Sequence, residues 1–179
     1  MAEFKIIDLF GGAATCEIPT TWIDVSHIRT VPSHQEVFVD QSEDKNDSVI
    51  IEILQHESAI EDAVAGSFFF NDLAAADSAT SSSIDPSKSV VDRSSQFLGA
   101  SATKVYVEGV QQLKGKSGRP SLEPDHVAVF MTVIRSAMFD ADVLVTTHSV
   151  VDVFGPESCR KIHEKISNSL VFTDPSLFG

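Results

Sequence analysis

The sequence is short of the residues that many chemistries and several cellular destinations require. Its 179 residues include two cysteines, Cys16 and Cys159, which lie far apart and form no CxxC pair. Such usage points to reduced thiols in a cytosolic or nuclear compartment. Cations are scarce as well: 13 Lys and Arg stand against 26 Asp and Glu, for a net charge of -13. Nucleic acid and anionic membrane both demand clustered Lys and Arg, so neither is an expected partner. No apolar run approaches the ~20 residues of a membrane helix. The opening MAEFKIIDLFGG lacks the basic region and apolar core of a secretory leader and is too acidic for a transit peptide, so no membrane insertion is expected.

Catalytic motifs are missing too. The histidines at 27, 34, 56, 126, 148 and 163 form neither HxH nor HExxH. Cys159 and His163 are four residues apart and offer two metal ligands where zinc takes three or four. As nucleophile and base the same pair lacks an orienting third group. LKGKSG at 113–118 fails as a phosphate loop because Val110 stands where its first glycine belongs. Lys114, Lys116 and Arg119 therefore read as a solvated basic turn. With no GxSxG and no glycine-rich cofactor loop, neither an enzyme nor a bound cofactor or metal is expected.

What is present describes an ordinary globular chain with an uneven charge. Apolar residues make up 42% and charged residues 22%, and the length suits a single domain over residues 1–179 that buries about two-thirds of its unfolded surface. Half of the acidic side chains but only three basic ones fall in residues 1–62, so the negative field belongs to the N-terminal third. That asymmetry serves solubility or steers a partner with a basic patch.

Periodicity supplies the elements. Residues 4–10 and 13–18 are apolar segments broken by Gly11-Gly12, which suggests a bent strand or hairpin corner. Asp24 or Ser26 caps one short helical turn that stops before Pro32. QEVFVD (35–40) and SVIIEILQ (48–55) read as an antiparallel hairpin across the acidic SEDKND. Residues 57–79 read as a helix with Ile60, Val64 and Phe68 inward and Ser58 and Glu61 as a capping box. The serine-rich stretch near 78–100 reads as a mobile connector. Strands follow at 102–113, 126–137 and 142–150, then a helix over 156–171 with Cys159, Ile162, Ile166 and Leu170 inward. Turns too short for parallel crossovers predict an α/β protein of α+β type, with a mainly antiparallel central sheet of about six strands sandwiched by helices.

The 35–55 hairpin carries the one unusual pattern. Alternation puts Glu36, Phe38 and Asp40 on one face of their strand, and Glu52 between Ile50 and Leu54 on a face of the next. These are either solvated acids on half-exposed strands or an acidic and aromatic recognition surface.

Four stretches carry a family resemblance: LFGGA (9–13), IDVSHIRTVPSHQEVF (23–38), SVIIEILQ (48–55) and the closing DPSLFG. Together they resemble the Mog-type Ran-binding nuclear import factors, and VPxxQEVF in that order is highly specific. The resemblance runs nearly end to end and is weakest at 75–100. It implies a Mog/PsbP-like fold, binding to the small GTPase Ran with release of its guanine nucleotide, and a role in nuclear protein import from nucleus and cytoplasm. Other Ran-binding transport factors are implied as further partners, and a monomer is the expected state. The alternative is a PsbP-like structural or accessory subunit without GTPase-regulating activity. Carried over at matching motif positions, the Ran-binding residues are Asp24, Arg29, Gln35, Glu36 and Glu52, with Phe38 as an apolar anchor and Gln55 at the end of the second strand. Ser33 and Gln55 depart from the motif, each replacing an acid.

Overall fold

The computed structural model describes residues 2–42, 47–114, 125–150 and 156–179. Most of the acidic connection after Asp40, the basic turn containing Lys116 and Arg119, and Gly155 lie outside the described residues.

The chain starts as an antiparallel hairpin, β1 (Phe4–Leu9) and β2 (Ala14–Pro19). Its corner is the LFGG sequence: Phe10, Gly11 and Gly12 all have positive φ, which the two glycines adopt freely. β3 (Trp22–Asp24), β4 (Gln35–Asp40) and β5 (Ser48–Gln55) follow, then helix α1 (Asp62–Ala76). Four short strands come next: β6 (Ser81–Ile84), β7 (Val90–Asp92), β8 (Gln96–Phe97) and β9 (Ala100–Ser101). The three longest, β10 (Thr103–Leu113), β11 (Asp125–Ser136) and β12 (Ala141–Val150), precede α2 (Pro156–Ser169) and β13 (Val171–Phe172).

The central sheet has eight strands in the order β3-β4-β5-β12-β11-β10, with β6 and β7 both pairing with the outer edge of β10. All of its pairings are antiparallel. The expected count of about six falls short because β3 is only three residues long and because two edge strands sit in the serine-rich stretch. Ser81, Ser82 and Ser83 are exposed yet pair with Gln112, Gln111 and Val110. An edge strand needs backbone hydrogen bonds more than an apolar face, so hydropathy does not reveal it. The first hairpin is outside this sheet and forms a separate three-stranded one, β1-β2-β13.

Alternation along β11 divides the core in two. Val127, Val129, Met131 and Val133 face α1 with Val105, Val107 and Phe70, while Ala128 and Phe130 face Cys159 on α2. A larger cluster joins Leu9, Ile18, Trp22, Phe38, Val49, Ile51, Val145 and Ile166 between the two sheets and α2. The amphipathic reading of α2 holds: Cys159, Ile162 and Ile166 are buried, and Leu170 just beyond the helix packs on that cluster.

The reading of α1 is corrected in start and face. Its N-cap is Glu61 with no side-chain cap bond, so the Ser58–Glu61 capping box does not form. Val64 and Phe68 are 50% and 38% exposed, while Ala65, Gly66, Phe69, Phe70 and Ala74 are buried. Alanines and phenylalanines surround this helix on nearly all sides, so periodicity alone does not select a face. Close approach selects it instead. A Cβ on Gly66 would stand 2.5 Å from Val107 Cγ1, so the glycine side is where the helix meets β10.

Gly109 on β10 is equally constrained. A side chain there would collide with the Ser83 carbonyl oxygen and stand 2.8 Å from Phe70 Cζ. Gly109→Ala is expected to destabilise the fold by about 1–3 kcal/mol by forcing β6 or Phe70 aside. A urea midpoint equal to that of the native protein would contradict this packing.

Candidate functional site

The VPSHQEVF segment owes its shape to backbone bonds at both ends. Asp24 Oδ1 accepts from Ser26 N at 2.7 Å and so caps the 3-10 turn Val25–His27. Arg29 N donates to Val25 O at 3.0 Å, and Gln35 N donates to Pro32 O at 2.9 Å. The chain enters β4 directly from that second turn, and Ile53 N donates back to His34 O at 2.9 Å. The Arg29 side chain is exposed, beside an Ile28 that is 70% exposed.

Register then sorts the remaining residues into two groups. Gln35 pairs with Glu52, and Glu36 pairs with Ile51. The one-residue offset puts the two glutamates on opposite faces of the hairpin. On one face, Gln35 Nε2 donates to Glu52 Oε1 at 2.6 Å, and His34 Nε2 lies 3.4 Å from the same oxygen. Glu52 keeps 23% of its side chain exposed, and its second oxygen makes no hydrogen bond among the described residues. This is a carboxylate held from one side and open on the other.

The opposite face looks inward. Phe38, paired with Asp24 and Val49, is 4% exposed and belongs to the large core cluster, so the aromatic anchor expected on the surface is a core residue. Glu36 Oε1 accepts from Phe10 N at 2.6 Å. Burial pushes its carboxyl above the usual range; the Phe10 bond opposes this and the Asp24 charge adds to it. Glu36 thus fastens the Phe10-Gly11-Gly12 corner to β4, which explains physically why the LFGG and QEVF stretches occur together. Gln55, at the exposed end of β5, donates from Nε2 to Asp140 Oδ2 at 3.0 Å.

Of the residues read from the sequence, the structure therefore brings Gln35 and Glu52 together and sends Glu36 and Phe38 to the interior side. His34 is the member that sequence reasoning missed. Its only signal was its place beside Gln35, where strand pairing across to Glu52 brings it close.

The thiol and imidazole tested for chemistry, Cys159 and His163, are both structural: Cys159 is buried and packs with Ala128 and Phe130. Cys16 is buried and its thiol is pushed up to about 12, chiefly by burial, with the Glu36 and Glu17 charges adding. His163 is fully buried with Nε2 2.8 Å from Thr132 Oγ1 and Nδ1 2.9 Å from Thr147 Oγ1. Both ring nitrogens are thereby committed. Among the described residues no group of three or more His, Cys, Asp or Glu side chains is placed to hold a metal ion, and no helix is long and apolar enough to cross a membrane.

Residues 7–150 match the family model described as Ran-interacting Mog1 protein. The chain belongs to the Mog1 family. Among Mog1 relatives, the nuclear import protein mog1 of Schizosaccharomyces pombe is 30% identical across 97% of this chain and all of its own length. The Ran guanine nucleotide release factor of Bos taurus is 26% identical across 96% of this chain and 95% of its own. The crystal structure of the Saccharomyces cerevisiae Ran-binding protein Mog1p superposes over both full chains with a TM-score of 0.77 at 22% identity. PsbP from the cyanobacterium Synechocystis shares the fold at a TM-score of 0.58 and 14% identity, covering 97% of this chain and 94% of its own. The Mog1 and PsbP architecture expected from the sequence is thus the one observed, with eight strands in the central sheet.

Proposed function

We propose that this Mog1-family chain binds the small GTPase Ran, promotes release of its guanine nucleotide and so supports nuclear protein import. The observation that carries the reading is the half-open carboxylate of Glu52, presented beside Gln35 and His34 on the hairpin that bears VPSHQEVF. An acidic N-terminal third favours a basic partner surface. The relatives' names supply the partner: a Ran guanine nucleotide release factor and nuclear import proteins.

Release by binding needs no nucleophile. A factor that prefers the nucleotide-free GTPase shifts its population toward that state, and reciprocity then makes nucleotide loss and factor binding favour one another. We infer that the chain acts in this way and not as an enzyme, as a monomeric single domain moving between nucleus and cytoplasm and meeting other Ran-binding transport factors. Gln35 and Glu52 form the polar centre of the Ran contact, with Asp24 and Arg29 at its margin on the preceding turn. Glu36 and Phe38 support it from within, and Gln55 extends it at the end of β5. The likeness to PsbP is one of fold alone and does not favour the accessory-subunit reading.

The test is direct. Ran loaded with a fluorescent guanine nucleotide is expected to release it faster in the presence of this protein. Glu52→Lys is expected to reduce that acceleration by about tenfold or more, since reversing a charge at a contact costs both attraction and on-rate. Undiminished release by a folded Glu52→Lys variant would remove Glu52 from the contact. No acceleration by the native protein would overturn the reading as a whole.

A further inference from the structure

Where β5 hands over to α1, a cavity of about 190 Å³ opens among His56, Asp62, Arg93, Ser101, Thr103 and Arg135. Its charges are unequally committed. Both carboxylates at or behind its wall are spent: Asp62 Oδ1 accepts from Arg135 Nη1 at 3.0 Å and Oδ2 from Thr103 Oγ1 at 2.7 Å. The fully buried Asp142 accepts from Arg135 Nε at 3.2 Å, His56 Nδ1 at 2.9 Å and Glu57 N at 2.9 Å. A carboxylate only accepts, so His56 Nδ1 carries the proton in that bond and Nε2 is left over.

The cations differ: Arg135 is ion-paired with Asp62 and Asp142, whereas Arg93 is not spent. Arg93 is exposed and makes no ion pair or hydrogen bond among the described residues. Arg135 uses four of its five N–H groups, on Asp142, Asp62, Ile60 O and Glu57 O, which leaves one on Nη2. In a chain of net charge -13, this small concavity gathers two guanidinium groups, and the Asp62 carboxylate on its wall is engaged through both oxygens by Arg135 and Thr103. Its donors come from separate elements: Arg93 from the turn after β7, Ser101 from β9 and Arg135 from β11.

We propose that this cavity binds a phosphate or phosphomonoester oxyanion. Arg93 supplies the principal charge, and the spare Arg135 N–H and the Ser101 hydroxyl supply further donors. His56 Nε2 meets an oxygen at the rim, accepting from a P–OH or donating when the ring is protonated. Donors converging from several directions suit a tetrahedral oxyanion better than a planar carboxylate. At about 190 Å³ the space lies below the ~300 Å³ at which drug-sized ligand pockets begin, so it takes a headgroup with at most a small substituent. The proposal stands apart from the Ran reading, since Glu52 and Gln35 do not line this cavity.

Isotopically labelled full-length chain, titrated with inorganic phosphate or with phenyl phosphate at constant ionic strength, tests it through backbone amide shifts. Saturable shifts are expected at Arg93, Ser101, Ala102 and Thr103, absent with equivalent sodium chloride. Arg93→Gln is expected to raise the Kd at least about tenfold while leaving the melting temperature unchanged, because Arg93 is exposed and makes no hydrogen bond or ion pair among the described residues. Tighter binding of phosphate than of its ester would assign a free phosphate, and the reverse order an esterified one. Shifts no larger than those from chloride, or an unaltered Kd in Arg93→Gln, would overturn the assignment.

Discussion

Arg135→Met is expected to lower the free energy of unfolding by about 3–5 kcal/mol. Arg135 is 3% exposed and spans three parts of the chain that local sequence does not hold together. It pairs with Asp142 across the β11–β12 hairpin and with Asp62 in the first turn of α1, and it donates to the Glu57 and Ile60 carbonyls at 2.7 Å each. Methionine fills much of the volume but leaves Asp142, fully buried, with a charge that among the described residues only His56 and one backbone N–H compensate. Two carbonyls that begin the path into α1 also lose their donor. Unfolding in urea should show a lower midpoint with an unchanged m value. A loss under 1 kcal/mol would mean that Asp142 is supported without Arg135. The consequence reaches function, because residues 57–60 follow directly on β5, the strand that carries Glu52.

Acidification is the second large effect. Burial between Thr132 and Thr147, with the Lys104 charge adding, lowers the pKa of His163 from its ordinary 6.5 to about 3. The folded histidine thus stays neutral where the unfolded one takes a proton. Its contribution to stability is complete above about pH 6.5 and is lost as pH falls from there toward 3. One differential proton is worth about 1.4 kcal/mol per pH unit, so about 2–3 kcal/mol disappears between pH 6.5 and 4.5. Glu36 works against this trend: its raised pKa means that the folded state holds its proton more tightly, so protonation near the carboxylate range favours folding. The histidine is therefore isolated by difference. His163→Gln keeps a donor and an acceptor for the two threonines and is expected to flatten stability against pH between 6.5 and 4.5, whatever its stability at pH 7. Parallel curves for the native and variant proteins would show that His163 is not the group that titrates.

Much of the fold was legible because its signals are local. The 35–55 hairpin, the three long strands and the buried stripe of α2 all follow from alternation or helical period, and the capped turn at Asp24 from residue chemistry. The misreadings arose where local signals are weak or even-handed. The apolar character of α1 is spread around its axis, so its face was set by the missing Cβ of Gly66 against Val107. The serines of β6 pair through backbone alone. The site was half legible for a related reason. VPSHQEVF and SVIIEILQ identify the hairpin, but which acids face outward depends on strand register, and a one-residue offset reverses every assignment.

By itself, then, the sequence determined an acidic α+β protein of the Mog1 family, its hairpins and its long strands, because periodicity and capping act over a few residues. Tertiary structure alone decided that Glu52 stays open beside Gln35 and His34 while Glu36 turns inward to hold Phe10 N. It also decided that Phe38 is core and that Arg135 ties three elements to one buried carboxylate. These outcomes rest on contacts between residues as far as 78 positions apart, and no local pattern encodes which charged side chains such contacts consume and which they leave for a partner.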